Sequence, residues 1–60
     1  MRLNELLKLL SNNGCYLVKH GKEHDRWYSP ITGKKITIPR HSKEVPTGTT
    51  NNILKDAGLK

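Results

Sequence analysis

Three side chains near the middle of the chain occupy alternate positions of a segment rich in β-forming residues: His24, Arg26 and Tyr28. Alternate side chains of a strand point to the same face, so an imidazole, a guanidinium and a phenol are expected together. An imidazole exchanges protons near neutral pH and can take a proton from a ribose 2′-hydroxyl or give one to a leaving 5′-oxygen. A neighbouring cation can stabilise the charge that develops on the phosphate. The spacing therefore permits acid–base chemistry on a phosphodiester, although a histidine in a strand is more often a surface or core residue.

Positive charge is concentrated around this segment. The 60-residue chain has a net charge of +6, and residues 19–43 hold seven Lys or Arg against two acidic residues, a net +5. A local basic cluster suits phosphate, because each neutralised phosphate releases counterions, although a solvated surface is the alternative. The expected RNA contacts are the cations of this region, a tyrosine that can stack on a base and a histidine beside an arginine: Lys22, Arg26, Tyr28, Lys34, Lys35, Arg40, His41 and Lys43.

The elements that position these residues follow from periodicity and turn signals. Leucines at positions 3, 6, 7 and 10 form one stripe of a helix predicted over residues 2–13, which Asn12, Asn13 and Gly14 end. A second helix is predicted to begin near Thr47 or Gly48 and to close at Gly58, with Leu59 making the accompanying apolar contact. Three antiparallel strands are predicted between the helices, at residues 15–19, 24–29 and 36–38, with Pro39 ending the last.

The order α-β-β-β-α predicts one domain over residues 1–60, an α+β two-layer sandwich with both helices on one sheet face. Trp27 is the expected core anchor, pointing at the helices with Leu17, Ile36 and Ile38. His24, Arg26 and Tyr28, which alternate with Trp27 along the strand, would then lie on the sheet face left to solvent or to a ligand.

Cys15 is the only cysteine, so an intrachain disulfide is excluded and a reducing compartment is favoured. We expect Cys15 to be a small core residue. A zinc site drawn from Cys15, His20, His24 and His41 is disfavoured, because the chain has no short-spaced pair of cysteines. No segment has the pattern of a signal peptide or a membrane span, so we expect a soluble cytoplasmic protein that does not bind membranes.

Four segments in this order resemble the HicA toxin family. They are Asn-Gly-Cys-Tyr-Leu-Val at 13–18, Lys-Glu-His-Asp-Arg-Trp at 22–27, Ile-Pro-Arg-His at 38–41 and Ile-Leu-Lys-Asp-Ala-Gly-Leu at 53–59. The family motif is usually Gly-Ser-His followed by two residues and an aromatic ring. His24 matches its histidine and Trp27 its ring, whereas Glu23 replaces the serine and Gly21 lies one position early.

The resemblance implies a fold like that of double-stranded-RNA-binding domains and cleavage of messenger RNA without a metal or other cofactor. It implies that His24 is the catalytic residue. It also implies a HicB-type antitoxin, so that the toxin is a monomer when free and part of a hetero-oligomer when silenced.

Two other functions fit the residues. One is a non-catalytic double-stranded-RNA-binding module, which needs cations for phosphates but no titratable group at their centre. The other is a protein-interaction domain whose basic face binds an acidic partner. A nuclease cleaves RNA, whereas the binding module binds RNA and leaves it intact. The protein-interaction domain has no measurable affinity for RNA.

Overall fold

The computed structural model describes residues 1–60 and has the predicted element order. Each boundary lies within two residues of its prediction: α1 spans Leu3–Asn12, β1 Tyr16–His20, β2 His24–Ser29, β3 Lys34–Pro39 and α2 Thr47–Ala57. The α+β prediction is therefore confirmed. Both helices are too short and too polar to traverse a lipid bilayer.

Both helices end in the same way, on a glycine in the left-handed region. Gly14 has φ 86° and Gly58 has φ 81°. The amide after each glycine reaches back five residues, from Cys15 to the Leu10 carbonyl at 2.9 Å and from Leu59 to the Leu54 carbonyl at 2.8 Å. These bonds satisfy carbonyls that the helix leaves free, as in the Schellman motif. The two glycines thus direct α1 into β1 and end α2 against the sheet.

Gly58→Ala is expected to destabilise the fold by about 1–2 kcal/mol from the left-handed backbone alone. An added Cβ would also lie 2.7 Å from Ile31 Cγ2, closer than carbon atoms pack. Gly48→Ala is the matched control, because Gly48 lies inside α2 with nothing within 4 Å of an added Cβ. That change should stabilise the helix by up to about 1 kcal/mol. Thermal unfolding followed by circular dichroism measures both, and equal midpoints would contradict this account of Gly58.

The three strands form one antiparallel sheet in the order β1-β2-β3. In the β2–β3 pair, His24 lies opposite Pro39 and Ser29 opposite Lys34, without interruption. The β1–β2 pair is interrupted by a bulge: Leu17 lies opposite Trp27, but the next pair is Lys19 with Arg26. Val18 is the extra residue, and every side chain after it in β1 changes face.

The core lies between the helices and one face of the sheet. Its buried apolar cluster contains Leu6 and Leu10 of α1 and Ile36 and Ile38 of β3, and its other members are Cys15, Val45, Ile53 and Ala57. The buried Ser29 hydroxyl donates to the Ala57 carbonyl at 2.7 Å, tying β2 to the end of α2. The predictions for Ile36, Ile38 and Cys15 are therefore confirmed.

Trp27 and Leu17 differ from the expected core. Trp27 is only partly buried against the cluster, and Leu17 remains 37% exposed although it lies opposite Trp27 on the same sheet face. The reason is the position of α2, which lies against β3 and β2 and does not cover the edge strand β1. Leu17 therefore lies on the helix side of the sheet with Trp27, as expected, but the helices leave it partly exposed.

Candidate nucleic-acid interface

The sheet face opposite the helices, here called the open face, carries the three side chains singled out by their spacing. His24 lies opposite Pro39, and Arg26 lies opposite both Lys19 and Thr37. Tyr28 lies opposite both Tyr16 and Lys35. These eight strand positions define the open face, and all but Tyr28 and Pro39 are exposed. The alternation of β2 thus brings imidazole, guanidinium and phenol together.

Lys19 is a member of this face that strict alternation does not predict. Counting by twos from Leu17 would direct Lys19 toward the helices, but the bulge at Val18 places it directly opposite Arg26. Two cations in a cross-strand pair repel each other and destabilise the sheet. An anion bound between them would offset that repulsion. Val18 carries no glycine signal that would mark a bulge in the sequence.

Carboxylates are directed away from the open face. Asp25 alternates to the helix side, where one carboxylate oxygen lies 3.1 Å from His20 Nδ1. The bulge makes this contact possible, because it pairs His20 with Asp25 in the register. The open face is therefore left with three cations, Lys19, Arg26 and Lys35, and no acidic residue at any of its positions. Such a surface attracts phosphate.

An aromatic pair flanks the cations. The rings of Tyr16 and Tyr28 have centroids 5.5 Å apart and planes tilted by 47°. Tyr28 is half-buried, whereas Tyr16 is 54% exposed and presents its ring to solvent. Exposed aromatic rings beside cations are a common platform for unpaired bases.

His24 is the first residue of β2 and is exposed. Its imidazole makes none of the side-chain hydrogen bonds of the fold, in contrast to the rings of His20 and His41. Neither of the two surface grooves of the molecule is lined by His24. A free imidazole on a flat face suits a long polymer laid across the sheet better than a small molecule, which needs a concave pocket.

The turn that precedes His24, residues 21–23, is bonded to the chain after β3. Arg40 Nη1 donates to the Gly21 carbonyl at 2.7 Å, and His41 Nε2 lies 2.9 Å from the Lys22 carbonyl. The Arg40 amide donates to the Glu23 carbonyl at 3.0 Å. A Cβ on Gly21 would overlap the carbonyl oxygen of His24, so this position requires glycine. The early glycine of the sequence motif is thus explained by the tightness of the turn.

The remaining predicted contact residues are dispersed. Lys22 is exposed in the turn beside His24. Lys34 pairs with the buried Ser29 and so alternates to the other side of the sheet, at its far end. Lys43 lies between β3 and α2, and its carbonyl accepts a hydrogen bond from the amide of Leu3, the first residue of α1, at 2.9 Å. The fold therefore brings Arg26, Tyr28 and Lys35 together with His24, but not Lys34 or Lys43.

The four residues weighed as zinc ligands are not assembled, and no three His, Cys, Asp or Glu side chains are grouped closely enough to hold a metal ion. Cys15 is buried in the core, whereas His41 is bonded to the turn carbonyl. Cys15, His20 and His41 therefore have different surroundings and do not converge on one site.

Comparison with known proteins gives one match. The family model described as HicA toxin of bacterial toxin-antitoxin matches residues 3–59, nearly the whole chain. No curated protein and no solved structure matches the chain.

Proposed function

Since the chain belongs to the HicA toxin family of bacterial toxin–antitoxin systems, we propose that it is an endoribonuclease that cleaves messenger RNA on the open face, with His24 as its general acid or base. The observation that carries the proposal is the placement of His24. It is the one histidine that is exposed without a hydrogen-bond partner, and it shares its sheet face with three cations and no carboxylate.

The chemistry needs little from the protein. A ribose 2′-hydroxyl attacks the adjacent phosphorus, the bond to the 5′-oxygen breaks, and the products are a 2′,3′-cyclic phosphate and a free 5′-hydroxyl. One proton leaves the 2′-oxygen and one is delivered to the 5′-oxygen, and His24 serves one of these transfers, worth roughly 10²- to 10⁴-fold. Arg26, with Lys19 beside it, is placed to stabilise the negative charge on the phosphate oxygens. RNA supplies its own nucleophile, and water serves the proton transfer that His24 does not.

The direct test is incubation of purified protein with RNA in the presence of a chelator, with the cut ends analysed chemically. Fragments ending in 2′,3′-cyclic phosphate are expected. The competing function, a non-catalytic double-stranded-RNA-binding module, predicts a bound but intact RNA. Protein that neither binds nor cuts RNA would contradict both and leave a domain for an acidic protein partner.

RNA affinity is expected to fall steeply as salt rises, because the binding comes from phosphate contacts that release counterions. Lys35→Ala should weaken binding to all sequences alike. It should also reduce the slope of log affinity against log salt concentration by about one, the value for one lost phosphate contact. Lys55→Ala is the matched control, since Lys55 is an exposed lysine on α2, which lies against the other face of the sheet. Fluorescence anisotropy with labelled RNA at several salt concentrations measures both. Affinity that does not depend on salt, or equal losses in the two variants, would contradict the assignment of the open face.

We also propose that a HicB-type antitoxin silences the toxin by covering this face, so that the monomeric toxin becomes part of a hetero-oligomer in the cytoplasm, where messenger RNA is located. The open face is a large basic surface that the fold does not commit to the core. A partner that contributes acidic groups to Arg26 and apolar groups to the Tyr16–Tyr28 pair would bind it fast and release it slowly.

A further inference from the structure

We propose that Arg40 and His41 are positioning residues for His24 rather than contacts to RNA, an assignment that rests on the proposed ribonuclease function. Both residues were candidates for phosphate contact because of their charge and their neighbourhood in the sequence. The structure gives their donor groups a different use, since the side chains of both are bonded to the backbone of the turn that leads into β2.

The contacts form a regular series. Three consecutive carbonyls, those of Gly21, Lys22 and Glu23, face three nitrogens of two consecutive residues, at 2.7, 2.9 and 3.0 Å. The bond from the Arg40 amide to the Glu23 carbonyl extends the β2–β3 ladder by one step beyond the pair of His24 with Pro39. The side chains of Arg40 and His41 then fasten the next two carbonyls. The turn is therefore held along its whole length.

His24 depends on this support because its side chain has none. The imidazole is exposed and makes no hydrogen bond, so its position is set only by the backbone of β2 and of the turn before it. Gly21 packs closely on the His24 carbonyl, so we expect a movement of the turn to move the backbone of His24. A displacement of about 1 Å in a catalytic group can cost roughly 10²-fold in rate. Loosening the turn should therefore lower the rate of the chemical step and leave the RNA surface intact.

The test compares two variants of one residue. His41→Phe keeps an aromatic ring but has no donor for the Lys22 carbonyl, whereas His41→Gln keeps an N–H that can donate to it. We expect His41→Phe to lower kcat about 10- to 100-fold with KM changed less than about twofold, and His41→Gln to recover most of kcat. Arg40→Ala, which removes the bond to Gly21, should show the same loss in kcat. Lys35→Ala, on the open face, should instead raise KM.

A second measurement does not depend on cleavage. The ¹⁵N order parameters of the Lys22, Glu23 and His24 amides should be near those of rigid backbone in the wild type and fall toward flexible values in His41→Phe and Arg40→Ala, but not in His41→Gln. If the wild-type protein fails to cut RNA, the ribonuclease proposal falls, while these order parameters still decide whether the turn is held. Should His41→Phe fail to fold, Arg40→Ala compared with the wild type still measures the loss of a turn contact in both kcat and the order parameters.

Two outcomes would overturn the positioning role. One is a rise in KM at unchanged kcat in His41→Phe and Arg40→Ala, which is the pattern of lost phosphate contacts. The other is a turn that stays rigid in both variants.

Discussion

His24→Ala is expected to abolish RNA cleavage while the fold and the affinity for RNA remain. Loss of a general acid or base lowers the rate by roughly 10²- to 10⁴-fold, and His24 is the one histidine on the open face that could serve this role. The fold should persist because the His24 side chain is exposed and makes no internal hydrogen bond. Binding should persist because the open-face cations are untouched. Cleavage of labelled RNA and growth inhibition on expression measure the effect, and unfolding is monitored alongside.

His20→Ala is the matched control for this result. His20 is also exposed and lies four residues away, but the bulge directs it to the other side of the sheet, against Asp25. Its removal should leave cleavage within about twofold of the wild type, since it contacts neither the open face nor the turn carbonyls. Wild-type cleavage by His24→Ala would refute the catalytic assignment. Equal loss in both variants would show that histidine removal acts through the fold.

Much of the fold follows from local sequence signals, because each of these signals has a local physical cause. The leucine stripe at 3, 6, 7 and 10 has helical periodicity, and only glycine enters the left-handed region at positions 14 and 58 without strain. The limits of β2 were predictable for the same reason, since turn residues bound an alternating segment on both sides. Placing His24 with Arg26 and Tyr28 needed nothing beyond that alternation.

What sequence reasoning missed depends on contacts between distant residues. The bulge at Val18 comes from the pairing of β1 with β2, and it decides that Lys19 and not His20 joins the open face. Leu17 has the residue type of a core position, but its exposure depends on where α2 crosses the sheet. The charge of Arg40 and His41 predicts contacts with RNA, whereas their bonds to the turn 21–23 require β2 and β3 to be in register. A local pattern carries no information on any of these.

The same separation of faces explains how a chain of this size can hold a core and a functional surface. The β2 strand gives Asp25, Trp27 and Ser29 to the helix side, where Ser29 bonds to the end of α2, and its other three side chains lie on the open face. The buried positions on the helix side of the sheet are small or aliphatic, Ser29, Ile36 and Ile38, and Trp27 packs against them while partly exposed. Substitutions on the open face should therefore change binding or catalysis with little change in stability.

Arg26→Glu is accordingly expected to weaken RNA binding and the antitoxin complex together. Arg26 is the central strand position of the open face, between Lys19 and Thr37, so reversing its charge repels both a phosphate and any acidic group of the antitoxin. Truncating one partner of a buried charged pair costs about 2–5 kcal/mol, which corresponds to a loss of at least about 30-fold in affinity. RNA affinity should fall by a similar factor, because the variant adds a repulsive group at the site of a phosphate.

Lys8→Glu is the matched charge reversal for this experiment. Lys8 is an exposed lysine of α1, the helix whose Leu6 and Leu10 pack on the core side of the sheet, so the change in net charge is the same but lies away from the open face. Both affinities should stay within about threefold of the wild type at physiological salt, since screening limits the reach of an exposed charge to about 8 Å. Chemical modification of His24 in the wild-type complex completes the test, with protection of the imidazole as the expected result. An antitoxin that binds Arg26→Glu undiminished and leaves His24 fully reactive must inhibit the toxin from another surface.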